Sequence, residues 1–327
     1  NTYNDLEFNG SGGTWTLDAN LDVNDDLTLT NGTLDISTDN RSITVGGDWI
    51  DTGGGVFTER TGTVTFDGTG TVNANETFNN VSVNSGGTVT LGAALDIADT
   101  LTLTAGTLDV SGSNFGITAK SWTDTGAGTF TEGTGNVAFD VAEGAVNGNE
   151  PFYNLTISNS GTTTVGANLE ISNVLNISSG ILDASSYTIT LPGTTGTPFS
   201  NSGTFTASTS TVSYTGNNGS GNTTITNVTY YNLTLNNSSE TYVLTANATV
   251  SNNFTITAGT LDVSAAGCSG ASCAVTVAGN WSNSGTFTAR TGTVTFTGAS
   301  QSITGPTTFN NLTKNVTSAA TLTFPSG

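Results

Sequence analysis

TLTLTAGTLDV, residues 100–110, decides the fold of this chain. Leu and Val alternate with Thr on either side of a glycine, and alternation of apolar and β-branched polar residues over so short a run is a strand signal. The run is also one copy of several. GTLDI or GTLDV starts at Gly32, Gly106 and Gly259, with GILDA at Gly180 between them. An aromatic ahead of Asn and an apolar residue recurs in step at Tyr3, Phe78, Phe152, Tyr230 and Phe309. Both landmarks advance by 74 to 79 residues, so the chain reads as four copies, 3–77, 78–151, 152–229 and 230–308, with a partial fifth at 309–327. A fixed period of this kind marks a structural unit stacked on its neighbours.

Composition limits what such a repeat can do. Of 327 residues only 34% are hydrophobic and 9% charged, and the formal net charge is −20. The acid is concentrated early: residues 1–110 hold sixteen Asp or Glu, whereas beyond residue 220 only Glu240 and Asp262 remain, against Arg290 and Lys314. Five basic residues cannot neutralise a phosphate backbone, which argues against nucleic acid and anionic membranes as partners. No apolar run reaches the ~20 residues of a membrane span. The first residue is Asn1 and there is no Met, which suits a processed product or a segment of something longer.

Two cysteines, Cys268 and Cys273, sit five positions apart in GCSGASCA, inside an insertion of the fourth repeat. A disulfide across a small protruding loop is the expected state, since a metal site would need further soft ligands and the chain has no His. A disulfide implies an oxidising, extracytoplasmic setting.

Within residues 78–151, short strands are cut by Gly and Asn turns and no helical spacing is sustained. The Gly-Thr phrase and its relatives recur at Gly13, Gly32, Gly55 and Gly87, a finer rhythm that fits three or four coils per repeat. The expected fold is therefore all-β, a single elongated parallel β-solenoid over residues 1–327, with inward Val, Leu, Ile and Phe in ladders and Thr and Ser outward. Trp49, Trp122, Phe199 and Trp281 hold equivalent places, as core or corner residues or as a stacking platform for sugars. The competing architecture is a string of four small β-sandwiches. No Pro-rich or charged linker separates the copies, and this favours the coil.

The sequence FNNL, GTVTL, LTLTAGTLDV, W, GTFT, TGTVTF resembles the long repetitive β-solenoid proteins of bacterial and archaeal surfaces, including adhesins of the filamentous-haemagglutinin type. The resemblance runs over all 327 residues and is one of style. It implies a secreted, non-enzymatic surface protein and transfers no functional residue.

Few residues are equipped for catalysis. Without His, Ser-His and Cys-His systems are ruled out. A carboxylate-based β-helix enzyme acting on polysaccharide stays as a third reading. The Asp of the GTLD phrase recurs as Asp35, Asp109, Asp183 and Asp262, and four equal copies suggest a turn-stabilising task. Asp22, Asn24, Asp25 and Asp26 form the one cluster with calcium-like oxygen ligands, although Asp25, Asp99, Asn173 and Asn252 share one turn position, where Asp and Asn are at home. No other cofactor is expected.

Sequons for N-glycosylation are abundant. Asn9, Asn31, Asn40, Asn75, Asn80, Asn154 and Asn176 lie early; Asn218, Asn222, Asn227, Asn232, Asn236, Asn237, Asn247, Asn253, Asn280, Asn311 and Asn315 lie where acidic charge has faded. Glycans would supply solubility there. The leading expectation is a structural extracellular glycoprotein of the cell surface, a subunit or shaft of a filament, sheath or adhesin. It would polymerise head-to-tail, with Leu322 and Phe324 meeting Leu6 and Phe8 of the next copy. The alternative is an adhesin module that binds glycans or a host protein.

Overall fold

Leu101, Leu103 and Leu108 are buried, and the Thr residues between them stay on the outer side. The strand that carries them, Thr100–Asp109, is bent, with one arm on each side of Gly106. Gly106 has φ +79°, and a Cβ there would lie 2.7 Å from the carbonyl oxygens of Ser85 and Gly87. Only glycine fits both conditions. Gly32, Gly180 and Gly259 share the left-handed φ, so the glycine of the repeated phrase is a corner of the coil.

The computed structural model describes residues 2–74, 76–219, 221–264, 268 and 272–324. All helix and strand structure among them is β, and no helix is long and apolar enough to cross a membrane. The chain divides into two compact units, Asn1–Thr163 and Thr164–Gly327. The division falls inside the third repeat.

In the first unit the chain coils over three flat faces. One face stacks Thr2–Tyr3, Leu21–Val23, Ile43–Val45, Thr63–Phe66, then 80–83, 100–103, Ser121–Asp124 and Gly144–Asn147, every pairing parallel. The next stacks 6–8, 27–29, Trp49–Asp51, Gly70–Asn73, 88–91, 107–109 and Gly128–Thr131. The third holds 14–16, 33–35 and Gly55–Thr58, then Thr77–Phe78, Leu95–Ile97, Ile117–Ala119, Asn136–Phe139 and 154–157. In-register stacking turns the strand alternation into files: Leu21, Ile43, Val64, Val81, Leu101, Trp122 and Val146 lie one above another, all buried. Each such side chain contributes roughly 1.5–3 kcal/mol by burial.

The second unit is a three-faced parallel coil as well. One face runs 169–170, Thr188–Leu191, Thr211–Tyr214, 232–235, 254–256, Trp281–Asn283, Ser300–Thr304 and Thr321–Thr323. An isolated antiparallel bridge joins Ser264 with Ser272, outside the named strands. The β-solenoid expectation holds, and the sandwich alternative fails because pairing within the coils is parallel throughout, each strand joining the one a full turn away.

The number of coils per repeat is neither three nor four. The second repeat supplies eleven flat segments, Thr77–Phe78, 80–83, 88–91, Leu95–Ile97, 100–103, 107–109, Ile117–Ala119, Ser121–Asp124, Gly128–Thr131, Asn136–Phe139 and Gly144–Asn147. Eleven is not a multiple of three, so every copy starts one face behind the last. Tyr3 is on the first face and Phe78 on the third.

Candidate functional site

Each motif that recurs has a definable job in the coil. Asp35, Asp109, Asp183 and Asp262 accept the backbone N–H two residues on, from Ser37, Ser111, Ser185 and Ser264, at 2.8–2.9 Å. These are Asx turns, in which the short carboxylate caps its own corner. The next coil presents a left-handed residue at the same corner: Arg60, Gly133, Ser208 and Arg290. Arg60 grips Asp35 with Nε at 2.7 Å and Nη2 at 2.6 Å, and Arg290 grips Asp262 likewise at 2.9 and 2.6 Å. These bidentate bonds hold both carboxyls below the usual carboxylate range.

The aromatic positions are core. Trp49, Trp122, Phe199 and Trp281 are fully buried, which removes the sugar-platform reading. Each is clustered with the aromatic that opens the following repeat: Trp49 with Phe57 and Phe78, Trp122 with Phe130 and Phe152, Phe199 with Phe205, which reaches Tyr230, and Trp281 with Phe287 and Phe309. Edge-to-face contacts at 5.0–5.4 Å tie Trp49, Trp122 and Trp281 to the next copy, and Phe205 meets Tyr230 in a tilted contact at 6.5 Å.

The acidic corner of the first repeat is the candidate cation site, with a membership the sequence did not give. Asp5, Asp25 and Asp26 bring carboxylate oxygens within 4.8 Å of one another. Asp22 is not of this group: its Oδ2 accepts from Thr2 Oγ1 at 3.0 Å. Asn24 is placed by its backbone, its N–H donating to Tyr3 O at 2.8 Å. Asp5 and Asp26 are engaged in a ladder, because Asp5 Oδ1 accepts Asp26 N–H at 3.4 Å and Asp26 Oδ1 accepts Asp48 N–H at 2.8 Å. Asp25 is exposed, and Asp26 above all raises its pKa, with burial, Asp5 and Asp48 adding. Hard oxygen donors of this kind suit calcium. In the fourth repeat Asn232, Asn253 and Asn280 make the same ladder without charge, each Oδ1 accepting the next coil's N–H at 2.8–3.2 Å. The turn therefore needs an Asx oxygen, and the carboxylate charge is surplus to it. Asp5 was missed because it is twenty residues upstream of Asp25, one coil away.

Cys268 and Cys273 are disulfide-bonded, with Cα atoms 5.3 Å apart. Cys273 is buried and its N–H donates to Val263 O at 2.9 Å, so that end of the bridge belongs to the coil, and Cys268 is half-buried. Residues 265–267 and 269–271 lie outside the described residues.

Among the later sequons, Asn222, Asn227, Asn236, Asn247, Asn280, Asn311 and Asn315 are exposed. Asn218, Asn232, Asn237 and Asn253 are half-buried and spend their amides on the coil; Asn237 Nδ2, for instance, donates to Thr215 O at 2.9 Å. Asn75 lies outside the described residues. Of the residues expected to join copies, Phe8 is buried, Leu6 and Leu322 are half-buried and Phe324 is 57% exposed. All five basic side chains bond within the chain: Arg41 to Asp39, Arg60 to Asp35, Lys120 to Asp99, Arg290 to Asp262, and Lys314 to Gly298 O and Gln301 Oε1. Comparison with protein-family models, curated proteins and solved structures finds no match for this chain.

Proposed function

We propose that this protein is structural: an extracellular subunit or shaft of a surface filament, sheath or adhesin. The observation that carries the reading is that every recurring motif is consumed by the coil. The aspartates cap corners, the glycines turn them and the aromatics lock copies together, so repetition has added further coils. The disulfide supports an extracytoplasmic setting, and the resemblance to repetitive surface proteins supports the same location. Exposed sequons are compatible with a glycosylated surface.

Copies join head-to-tail through their first and last coils. Among the described residues, strand Leu6–Thr16 pairs only with Leu27–Asp35, and Thr321–Thr323 only with Ser300–Thr304. Tyr3, Leu312 and Phe324 leave apolar surface beside these edges. A further parallel strand can add to each. Lys314 works against this, since it stands in register with buried Phe296, where an inward charge discourages edge pairing.

Negative-stain electron microscopy of the purified chain across a concentration series tests the proposal. Filaments with one coil continuing into the next are expected, more abundant in Lys314→Val and lost in Phe324→Lys. Single particles at every concentration in both the parent chain and Lys314→Val would overturn it.

A further inference from the structure

Two corners that are equivalent by repeat carry different chemistry. In the fourth repeat, Trp281 Nε1 donates to Thr307 Oγ1 at 3.1 Å and Asn283 Nδ2 donates to the same oxygen at 3.2 Å. Indole, amide and hydroxyl are thus joined, with no titrating group. In the second repeat the same three positions, two past the tryptophan and two before the next anchor, are Trp122, Asp124 and Glu150. The indole of Trp122 is fully buried and its Nε1 has no acceptor among the described residues. Glu150, where Thr307 stands, is turned instead to Phe130, whose N–H its Oε2 accepts at 3.0 Å.

We propose that Trp122, Asp124 and Glu150 form a proton-operated corner clamp, in which one proton taken from solvent by Glu150 and donated in a hydrogen bond to Asp124 allows the corner to close as its Asn283–Thr307 counterpart does. While Glu150 is ionised it has no donor to offer Asp124, and it holds to the Phe130 backbone. Once protonated, Glu150 donates to Asp124, and its other oxygen accepts from Trp122 Nε1.

The charged groups acting on Glu150 are Asp124, at the end of Ser121–Asp124, and Glu132, just beyond Gly128–Thr131. Burial raises the Glu150 pKa most; both neighbours push it the same way, and the Phe130 N–H opposes. The folded chain then holds this proton more tightly than the unfolded one. The stability it confers is fully present below the unfolded pKa and is lost as pH rises through the folded one. The coil around Trp122 is tightened by mild acid.

Urea unfolding at about pH 7 and about pH 5, with tryptophan emission, tests this on the parent chain, Glu150→Gln and Asp124→Asn. Glu150→Gln supplies the clamp's donor permanently, so its midpoint should exceed the parent's at neutral pH and the excess should shrink in acid. The folded parent's emission should move between the two pH values by more than that of Glu150→Gln. A midpoint difference that is the same at both pH values, or emission that moves equally in parent and variant, would overturn the proposal. Should Glu150→Gln fail to fold, Asp124→Asn decides by the same two readouts.

Discussion

At Gly106 the chain turns between two faces with φ +79° and backbone oxygens where a side chain would begin. Gly106→Ala must pay left-handed strain and push the neighbouring coil outward. A loss of about 1–3 kcal/mol from the backbone alone is expected, read as a lower urea midpoint. Gly12 offers the control: its φ is +75° yet nothing lies near its Cβ, so Gly12→Ala bears the conformational part alone and should cost less. The GTLD aspartates were legible as turn residues because each bonds only two positions along. Their bonds to Arg60 and Arg290 were not, because those partners are 25 and 28 residues away, a coil apart.

At the level of the element, the unit of cohesion is the aromatic cluster between copies. Trp281 touches Phe254, Phe287, Phe296 and Phe309, so it joins the body of the fourth repeat to the opening of the fifth. Trp281→Ala leaves a large void and is expected to cost about 3–5 kcal/mol, by chemical denaturation. Trp281→Phe should recover much of this while losing the hydrogen bond to Thr307. The disulfide acts on a smaller scale. It links Cys268 to Cys273 beside the antiparallel bridge of Ser264 with Ser272, so reduction should leave the parallel pairing of Val275–Val277 intact, with unchanged strand content by circular dichroism.

For the whole molecule, charge sets the terms on which copies can meet. With a net charge of −20, any association opposes like-charge repulsion, which salt screens over a Debye length of about 10 Å at 0.1 M. Filament formation by the parent chain should therefore increase with ionic strength, measured by sedimentation. Because the acid is concentrated in the first repeats, head-to-tail contact sets a nearly neutral end against an acidic one, and the filament should be polar. Assembly that falls as salt rises would point to charge attraction in place of strand pairing.

The sequence alone determined the class of fold and its repeat, because apolar alternation and corner glycines are local properties written residue by residue. It also determined that the recurring aspartates would cap turns, since an Asx turn is closed within three residues. Only the tertiary structure decided how strands are distributed among faces. A bent run such as residues 100–110 reads as one string, yet it contributes to two faces, and whether eleven segments fill whole coils depends on where the chain wraps. The same wrapping brought Asp5 to Asp25 and Asp26, and Glu150 to the backbone of Phe130. Those groupings arise because a coil places residues some twenty positions apart side by side, a distance that no local pattern in the sequence records.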